Sequence, residues 1–274
     1  MTTLELVMPR LSEGRFASLG VLTDEALFEQ TGIRIAFTNR LNGFSESPYD
    51  SLNLGSHVGD VKEVVDKNRK LLAESLGFKN RQIVVPNQVH KDTIVNLSRN
   101  TKEEDLALVQ QGCDGLLLSD NSYTGLLCFA DCMPVIIVSP TACCAIVHAG
   151  WRGVACEIAA QAITRLMKLD AENSHVTKPE DYNIYLGPHI HSCCFETSEE
   201  LAEQFADQFG RSCVPKYRQV SLKQAQITSL LRIGCNPDRI VDAHICTSCN
   251  TDSYYSYRAE DGICGRHGAF AAIS

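Results

Sequence analysis

The sequence lacks the features of a membrane or exported protein. No uninterrupted apolar stretch approaches the ~20 residues that span a bilayer. The N-terminal stretch MTTLELVMPRLSEGRF has no basic segment followed by an apolar core, which is the pattern of an export signal. Linkers rich in proline, glycine and serine, low-complexity tracts and internal repeats are also missing. We therefore expect a single domain over residues 1–274 that stays in the cytoplasm.

An excess of positive charge is missing as well. The chain has 25 Lys and Arg residues against 33 Asp and Glu residues, a formal net charge of -8, and the two signs are interleaved. This pattern gives no electrostatic footprint for nucleic acid or an anionic membrane, so we expect neither as a partner. With 44% hydrophobic and 21% charged residues, the composition is typical of a compact enzyme or binding domain.

Cysteine, in contrast, is abundant. Thirteen cysteines would suggest a disulfide framework in a small secreted protein, but this chain is long, has no export signal and carries an odd number of them. Free thiols and metal ligands are the better interpretation. The adjacent pairs Cys143–Cys144 and Cys193–Cys194 would point to opposite faces of a strand, so we expect one cysteine of each pair in the core and assign the pairs no role.

The hydrophobic pattern predicts an α+β fold. Asp60 and Glu63 resemble a capping box that opens a helix ending at Gly77, and a second helix is predicted over 154–169. Two later helices end at Gly210 and Gly234. Short links between the strands of the 113–148 block favour mixed β-sheets packed between helices. Strands are predicted at 32–37, 83–85, 93–97, 115–118, 125–130, 134–139, 143–148, 183–187 and 240–245.

Three potential metal ligands follow predicted strands or end them. His90 follows the strand at 83–85, Cys132 lies in the turn between the strands at 125–130 and 134–139, and His148 ends the strand at 143–148. Two imidazoles and one thiolate suit zinc, whose catalytic sites use three protein ligands and leave one position open. The spacing is long-range, however, and a buried cysteine in an apolar hairpin also fits a plain core position.

Two further segments carry residues suited to anions or flat rings. Arg40 and Asn53 lie in the polar segment 37–55, which is suited to recognising phosphate, carboxylate or base edges, or is simply a solvated loop. Arg258 lies beside Tyr254, Tyr255 and Tyr257, a set that could stack on a ring and pair with an anion, or form a surface strand.

The segment HAGWRG leads from His148 into the predicted helix at 154. Gly150 and Gly153 would expose backbone N–H groups to an anion at the start of that helix, with Arg152 adding a charged contact. The alternative is a turn in which glycine is needed only for steric reasons.

Together, these segments resemble the laccase-domain or multicopper-polyphenol-oxidase-like family, which includes members described as purine nucleoside phosphorylases and as peptidoglycan editing factors. The resemblance covers roughly residues 30–273, leaves 1–29 as a peripheral N-terminal segment, and implies a cysteine-hydrolase-like α+β domain. It implies metal ligation by His90, Cys132 and His148. The segments that carry it are SLNLGSHVGD, NQVH, CDGLLLSD, FADCMPVIIV, VHAGWRG, YLGPHI, CCFE, and CTSCN with SYYSYR and GR.

The resemblance also implies an activity: phosphorolysis of adenosine, inosine and methylthioadenosine to the base and ribose 1-phosphate, with adenosine deamination alongside. The expected partners are therefore a small-molecule purine nucleoside and phosphate, and the sequence leaves the oligomeric state open. Arg40 and Arg258 are then candidates for binding phosphate, Asn53 for orienting the nucleoside, and Asp131 for carrying a proton beside the metal.

Zinc is the expected cofactor, although copper is possible, because one three-ligand site does not provide the clustered centres of a multicopper oxidase. A copper-dependent polyphenol oxidase (laccase), a cysteine hydrolase or amidase with Cys132 as nucleophile, and a non-enzymatic metal-binding protein remain alternatives. A second zinc site is also conceivable, because Cys246, Cys249, Cys264 and His267 form C-x-x-C followed by C-x-x-H, a pattern that coincidence could also produce in a chain rich in cysteine.

Overall fold

The structure is a computed structural model that describes residues 3–274, and this part of the chain contains twelve strands and seven α-helices. The strands are β1 (Ser12–Phe16), β2 (Leu19–Thr23), β3 (Ile33–Thr38), β4 (Gln82–Val84), β5 (Ile94–Leu97), β6 (Gly115–Leu118), β7 (Tyr123–Phe129), β8 (Met133–Val138), β9 (Cys144–Ala149), β10 (Asn183–Leu186), β11 (Ile240–Asp242) and β12 (His267–Ile273). The helices are α1 (Glu25–Thr31), α2 (Lys62–Ser75), α3 (Glu103–Gln111), α4 (Trp151–Ala155), α5 (Ile158–Glu172), α6 (Glu199–Phe209) and α7 (Leu222–Arg232).

The strands form two six-stranded sheets, and both sheets are mixed, as predicted. The first has the order β1-β2-β3-β12-β7-β4 and is antiparallel except where β4 pairs with β7. The second has the order β11-β10-β8-β9-β6-β5, with parallel pairs at both of its edges. The chain is thus a single mixed α+β domain, whereas its likeness to cysteine-hydrolase domains stays a prediction.

The two sheets pack face to face between helices. Strand β8 shows this arrangement because its side chains alternate between two cores. Val135 and Ile137 belong to a cluster shared with α5, α6 and α7, whereas Ile136 belongs to a cluster that also contains Phe37 of the first sheet. A third cluster places α2 against the other face of the first sheet. No helix within residues 3–274 is both long and apolar enough to cross a membrane.

The helix predicted over 154–169 is in fact two helices. Helix α4 starts earlier, at Trp151, and the break between α4 and α5 lies at Glu157, whose φ of 57° is left-handed. The Glu157 carboxylate accepts a hydrogen bond from the Ser229 hydroxyl at 2.8 Å. The apolar stripe of buried residues continues across the break, so hydrophobic periodicity alone could not reveal it.

The capping box predicted at Asp60 and Glu63 is wrong. Helix α2 begins at Lys62 after Val61, and no side chain caps it. The Asp60 carboxylate instead accepts hydrogen bonds from the Ser45 hydroxyl and the Asn53 amide. The predicted end of the helix is confirmed, because Gly77, just beyond it, has a φ of 90° that few other residues adopt readily.

The N-terminal segment predicted as peripheral over 1–29 lies at the edge of the first sheet, but it is not an appendage. Strands β1 and β2 extend that sheet, and Leu6 and Leu27 are buried in the core between the two sheets. The first two residues of the segment lie outside the described part of the chain. The rest of the segment is therefore integrated into the domain.

Candidate metal centre and cavity

His90, Cys132 and His148 lie together in space. One ligand atom from each, the two imidazole nitrogens and the thiol sulfur, lies within 4.8 Å of the others. His148 is in β9, Cys132 is in the link between β7 and β8, and His90 is in the loop after β4. The rings of His90 and His148 meet edge to face, with their centroids 4.6 Å apart. The fold thus brings together three residues that are distant in sequence.

The link that carries Cys132 passes from the first sheet to the second. Asp131 makes this turn possible by adopting a φ of 83°. Pairing of β8 with β9 sets Met133 opposite Ala149, so the following turn brings Gly150 against Cys132. A Cβ at Gly150 would lie 2.7 Å from the Cys132 sulfur, which is closer than real contacts allow. Glycine is therefore needed at 150 for the thiol to occupy its place.

Asp114, for which the sequence predicted no role, supports both histidines. Its Oδ1 accepts a hydrogen bond from Nδ1 of His148 at 2.8 Å and one from the His90 backbone N–H at 2.9 Å. Its Oδ2 accepts from the N–H groups of Val89 and Lys91. Because Asp114 holds Nδ1 of His148, it leaves Nε2 of that ring available to a metal.

Without a metal ion, Cys132 and His148 form a thiolate–imidazolium pair, and a bound metal would replace the proton of His148. Burial raises the pKa of the Cys132 thiol, but the positive charge of His148 and the hydrogen bonds from both histidines outweigh it and lower that pKa to about 6. Burial lowers the pKa of His148, whereas the Cys132 thiolate and the Asp114 carboxylate raise it to about 9. A thiolate and two imidazoles form a donor set that fits a catalytic zinc site with one open position.

The ligands line a cavity of about 400 Å³. Its other walls combine apolar surface with a cationic rim. The apolar part consists mainly of Phe129, Trp151, Ile190, Phe195 and Leu222, and the polar part of His57, Gln88, Asp131, Tyr257, Arg258 and Arg266. A cavity of this size with a few convergent polar groups is typical of a small-molecule site.

Two of the predicted site residues, Asp131 and Arg258, line this cavity. The Asp131 Oδ1 accepts a hydrogen bond from the Thr247 hydroxyl, and its Oδ2 accepts one from the Arg258 backbone N–H, both at 2.7 Å. The Arg258 guanidinium donates to the carbonyl oxygen of Cys194 at 3.1 Å. Asp131 therefore fixes the backbone that presents Arg258.

Arg40 does not line the cavity, contrary to its predicted contact with phosphate. Its guanidinium lies over the Tyr255 ring and donates hydrogen bonds to the carbonyl oxygens of Asp50 and Thr251 and to the Glu260 carboxylate. These contacts occupy the charged group and hold it inside the protein. Arg40 stabilises the loop at 40–51 against the segment at 251–260.

Asn53 also lies behind the cavity wall. It is fully buried, and its Oδ1 accepts hydrogen bonds from the backbone N–H groups of Gly55 and Arg266. Its predicted direct contact with a nucleoside is thus replaced by a contact with the residue that lines the cavity, Arg266. Arg266 and His57 were not predicted as site residues, although the motifs GR and SLNLGSHVGD that contain them were recognised and could have indicated them.

The structure also decides between the alternatives left open for HAGWRG and for the second zinc set. Gly153 is needed for steric reasons, since a Cβ there would lie 2.5 Å from the His148 carbonyl oxygen, and Arg152 stacks on Trp151 instead of lining the cavity. The four residues considered as a second zinc site do not come together, because Cys264 and His267 lie apart from Cys246 and Cys249. Cys264 accepts a hydrogen bond from Arg266, and His267 lies in β12 against Tyr254, whereas Cys246 and Cys249 meet Cys193 and Cys194.

The fold and site define a single-domain α+β protein with a candidate centre of two histidines and one cysteine at the wall of a cavity. The family model for multi-copper polyphenol oxidoreductase laccase matches residues 34–274, and the chain belongs to that family.

Known relatives agree with this assignment over nearly the whole chain. The purine nucleoside phosphorylase YlmD of Geobacillus stearothermophilus is 32% identical over 87% of this chain and 89% of its own. The crystal structure of YlmD from the same species has a TM-score of 0.81 at 30% identity, covering 96% of this chain and 99% of that one. The hypothetical protein YfiH of Bacillus licheniformis has a TM-score of 0.82 at 28% identity, with 95% and 98% covered.

Proposed function

We propose that this protein is a zinc-dependent purine nucleoside phosphorylase that converts adenosine, inosine and methylthioadenosine to the free base and ribose 1-phosphate, with adenosine deamination as a second activity. One observation carries the proposal: His90, Cys132 and His148 converge at the wall of a cavity that also presents Arg258 and Arg266. The name of the Geobacillus relative supports the same substrate class.

His90, Cys132 and His148 would hold the zinc ion. When bound there, zinc would supply Lewis acidity next to the substrate, with one coordination position left open by the three protein ligands. Asp114 maintains the orientation of His148 and of the loop that carries His90. This support keeps the donor atoms in place before the metal arrives.

The two arginines provide the proposed phosphate site. Arg258 and Arg266 both line the cavity and both donate hydrogen bonds through Nη1 to main-chain oxygens, which fixes their direction. A guanidinium recognises phosphate by paired, charge-assisted hydrogen bonds. His57 lies beside them, and burial followed by the charge of Arg266 lowers its pKa, so at neutral pH it contributes a neutral ring.

The apolar walls provide the proposed purine site. Phe129, Phe195 and Trp151 line the cavity, and aromatic side chains can stack on purines at modest entropic cost. Gln88 also lines the cavity, but its amide is occupied on both sides by the backbone of Cys128. We therefore assign Gln88 a positioning role and leave recognition of the base to the rings.

Asp131 is better suited to positioning than to carrying a proton. Its two oxygens accept hydrogen bonds from Thr247 and Arg258, so the carboxylate is fixed in the turn beside Cys132. In phosphorolysis, Asp131 would keep the phosphate-binding arginine at a constant distance from the metal ligands. In deamination, the same contacts would hold the thiolate ligand in the turn.

Chromatography of adenosine incubated with zinc-quantified protein, with and without phosphate, tests the proposal. Phosphate-dependent adenine supports phosphorolysis, and inosine formed without phosphate supports deamination. Arg258→Met should raise the KM for phosphate by at least about tenfold, because a hydrogen bond to a charged group contributes about 1.5–3 kcal/mol. Arg99→Met, at an exposed arginine that does not line the cavity, is the matched control. If fully metallated protein forms neither adenine nor inosine, the proposal is refuted.

The second candidate is a cysteine hydrolase or amidase. Cys132, His148 and Asp114 form a chain of thiol, imidazole and carboxylate like that of a cysteine nucleophile and its base. A thiolate that binds zinc is not free to attack a substrate, so chelation separates the two models. Activity that survives removal of metal but is lost in Cys132→Ala favours the hydrolase. A copper-dependent phenol oxidase would instead oxidise phenols only in copper-loaded protein.

A further inference from the structure

A second cluster of thiols lies beside the cavity. Cys193 and Cys194, in the loop after β10, meet Cys246 and Cys249, in the loop after β11, and their four sulfur atoms lie within 4.8 Å of one another. All four are free thiols; Cys246 is buried, whereas Cys193 and Cys249 are exposed. Within residues 3–274, this cluster and the His90 centre are the two groups of side chains arranged to hold a metal ion.

The distances within the cluster fit a tetrahedral metal site. The Cys193 sulfur lies 3.7 Å from that of Cys194, 3.8 Å from that of Cys246 and 3.7 Å from that of Cys249. Four sulfurs around a zinc ion at about 2.3 Å are separated from one another by about 3.8 Å. The distance between the sulfurs of Cys194 and Cys249, 3.3 Å, is somewhat shorter but far longer than a disulfide bond of about 2.05 Å.

The local backbone explains how all four thiols reach one point. Cys246 precedes a single 3₁₀ turn, Thr247–Cys249, and Cys249 ends it, and residues three apart in such a turn lie on the same side. Cys193 and Cys194 lie in a turn closed by hydrogen bonds from Cys194 and Phe195 to the His191 carbonyl, not in a strand, so their side chains do not point to opposite faces. The backbone N–H of His191 donates to the Cys246 sulfur at 3.3 Å.

The cluster joins two segments that build the cavity. The loop after β10 supplies Ile190 and Phe195 to the cavity wall. The segment after Cys246 supplies Thr247, which anchors Asp131, and further along Arg258, which donates to the Cys194 carbonyl. A bond between the two segments therefore fixes the distance between the apolar wall and the cationic rim.

We propose that Cys193, Cys194, Cys246 and Cys249 bind a second zinc ion, separate from the His90 centre, in a closed tetrathiolate site that holds the cavity wall together. Four thiolates leave zinc no open position, which is the character of a structural site. Tetrahedral thiolate sets select zinc or iron among common metals. Because the second zinc site has its own ligands, it does not depend on the activity proposed for the first.

Metal counting on the full chain tests this proposal. Native mass spectrometry and elemental analysis should find two zinc ions in the wild type and one in Cys132→Ala. The double variant Cys193→Ser, Cys249→Ser, which changes the two exposed ligands, should also hold one, and the combination of all three changes should hold none. Cys264→Ser and Cys156→Ser should retain two, because neither cysteine belongs to the cluster.

Cobalt substitution gives a readout that does not depend on counting or activity. In Cys132→Ala, bound Co²⁺ should show the strong visible absorption of a tetrahedral tetrathiolate, and the Cys193→Ser, Cys249→Ser change should abolish it. Circular dichroism checks that each variant is folded. A folded, reduced Cys132→Ala protein that holds no zinc overturns the proposal. Iron in place of zinc, or loss of the metal in Cys264→Ser, does so as well. A disulfide among the four cysteines of the cluster, in protein purified under reducing conditions, would also overturn it.

Discussion

Asp114 and His148 form the central support of the metal centre. The carboxylate Oδ1 lies 2.8 Å from Nδ1 of the ring, and the same side chain accepts hydrogen bonds from the backbone N–H groups of Val89, His90 and Lys91. Burial raises the pKa of Asp114, but the hydrogen bonds from His148 and from the Lys91 N–H lower it below its usual value overall. One ionised carboxylate therefore orients two metal ligands that belong to different elements.

Asp114→Asn should weaken zinc binding at the His90 centre by about 10- to 100-fold, the usual effect of losing an outer-sphere carboxylate. The amide cannot accept all of the N–H groups that the carboxylate accepts, so the His90 loop loses its anchor. Competition with a chelator of known affinity measures the change. Asp120→Asn is the control, because Asp120 also accepts backbone and side-chain hydrogen bonds but lies away from the site. Equal zinc affinity in wild type and Asp114→Asn would contradict the prediction.

Gly150→Ala should lower the zinc affinity by about tenfold, since a binding site tolerates displacements of only about 0.5 Å. The new Cβ would lie 2.7 Å from the Cys132 sulfur, so either the thiol or the backbone must move. Gly20→Ala is the control, because the corresponding Cβ would meet only an ordinary contact at 3.4 Å. Zinc titration and thermal unfolding of both variants should separate loss of metal from loss of stability. Zinc binding by Gly150→Ala that is as tight as that by Gly20→Ala would show that the added Cβ leaves the thiol in place.

In metal-free protein, Cys132 should react with iodoacetamide at pH 7 and more slowly below pH 6. The reactive species is the thiolate, and a pKa of about 6 means that it is present above this pH and is lost as the pH falls. Bound zinc should protect it. Peptide mass spectrometry follows each cysteine separately, with Cys156, whose pKa is raised chiefly by burial, as the slow internal reference. Equal rates at Cys132 with and without zinc would show that the thiol is not a ligand.

Asn53→Ala should lower the free energy of unfolding by about 1–3 kcal/mol, because it leaves buried partners without hydrogen bonds. The lost contacts are those to the N–H groups of Gly55 and Arg266 and to the Asp60 carboxylate. Urea unfolding measures the loss, and Asn173→Ala, at an exposed helix end, should be close to neutral. Because Asn53 positions Arg266, the KM for phosphate should rise with little change in kcat. A stability loss with no change in KM would leave Asn53 a structural role only.

The sequence predicted β3 to β11 because buried strands carry near-continuous apolar runs that are bounded by short polar turns. It did not predict β1, β2 and β12, which make up half of the first sheet, and β12 is rich in alanine and glycine, residues that are depleted in strands. The sequence could not predict the break at Glu157, where a contact with Ser229 from a distant helix overrides a continuous apolar stripe. The positions of His90, Cys132 and His148 came from ordered motifs, since their spacing carries little information. Arg40 and Asn53 were predicted to contact the substrates directly, but neither lines the cavity, because long-range hydrogen bonds that the local sequence does not reveal hold both side chains inside the protein.

The cysteine cluster also shows that local sequence patterns do not reveal contacts between distant segments. The C-x-x-C of Cys246 and Cys249 was recognised locally, but its partners were sought further along the chain, in Cys264 and His267. The true neighbours precede it by more than 50 residues, and they were set aside because an adjacent pair was assumed to lie in a strand. A turn at Cys193 and Cys194 changes the direction of both side chains, and nothing in their local composition indicates that turn.

The position of β12 sets an order for biosynthesis. The second sheet uses only strands β5, β6 and β8–β11, from Ile94 to Asp242, whereas the first sheet needs β12 between β3 and β7. Pairing of Ile33 with Ile273 closes a very long loop, which is entropically costly and slow. During translation the second sheet can therefore assemble first, and until β12 emerges the first sheet exposes two unpaired strand edges to chaperones and aggregation.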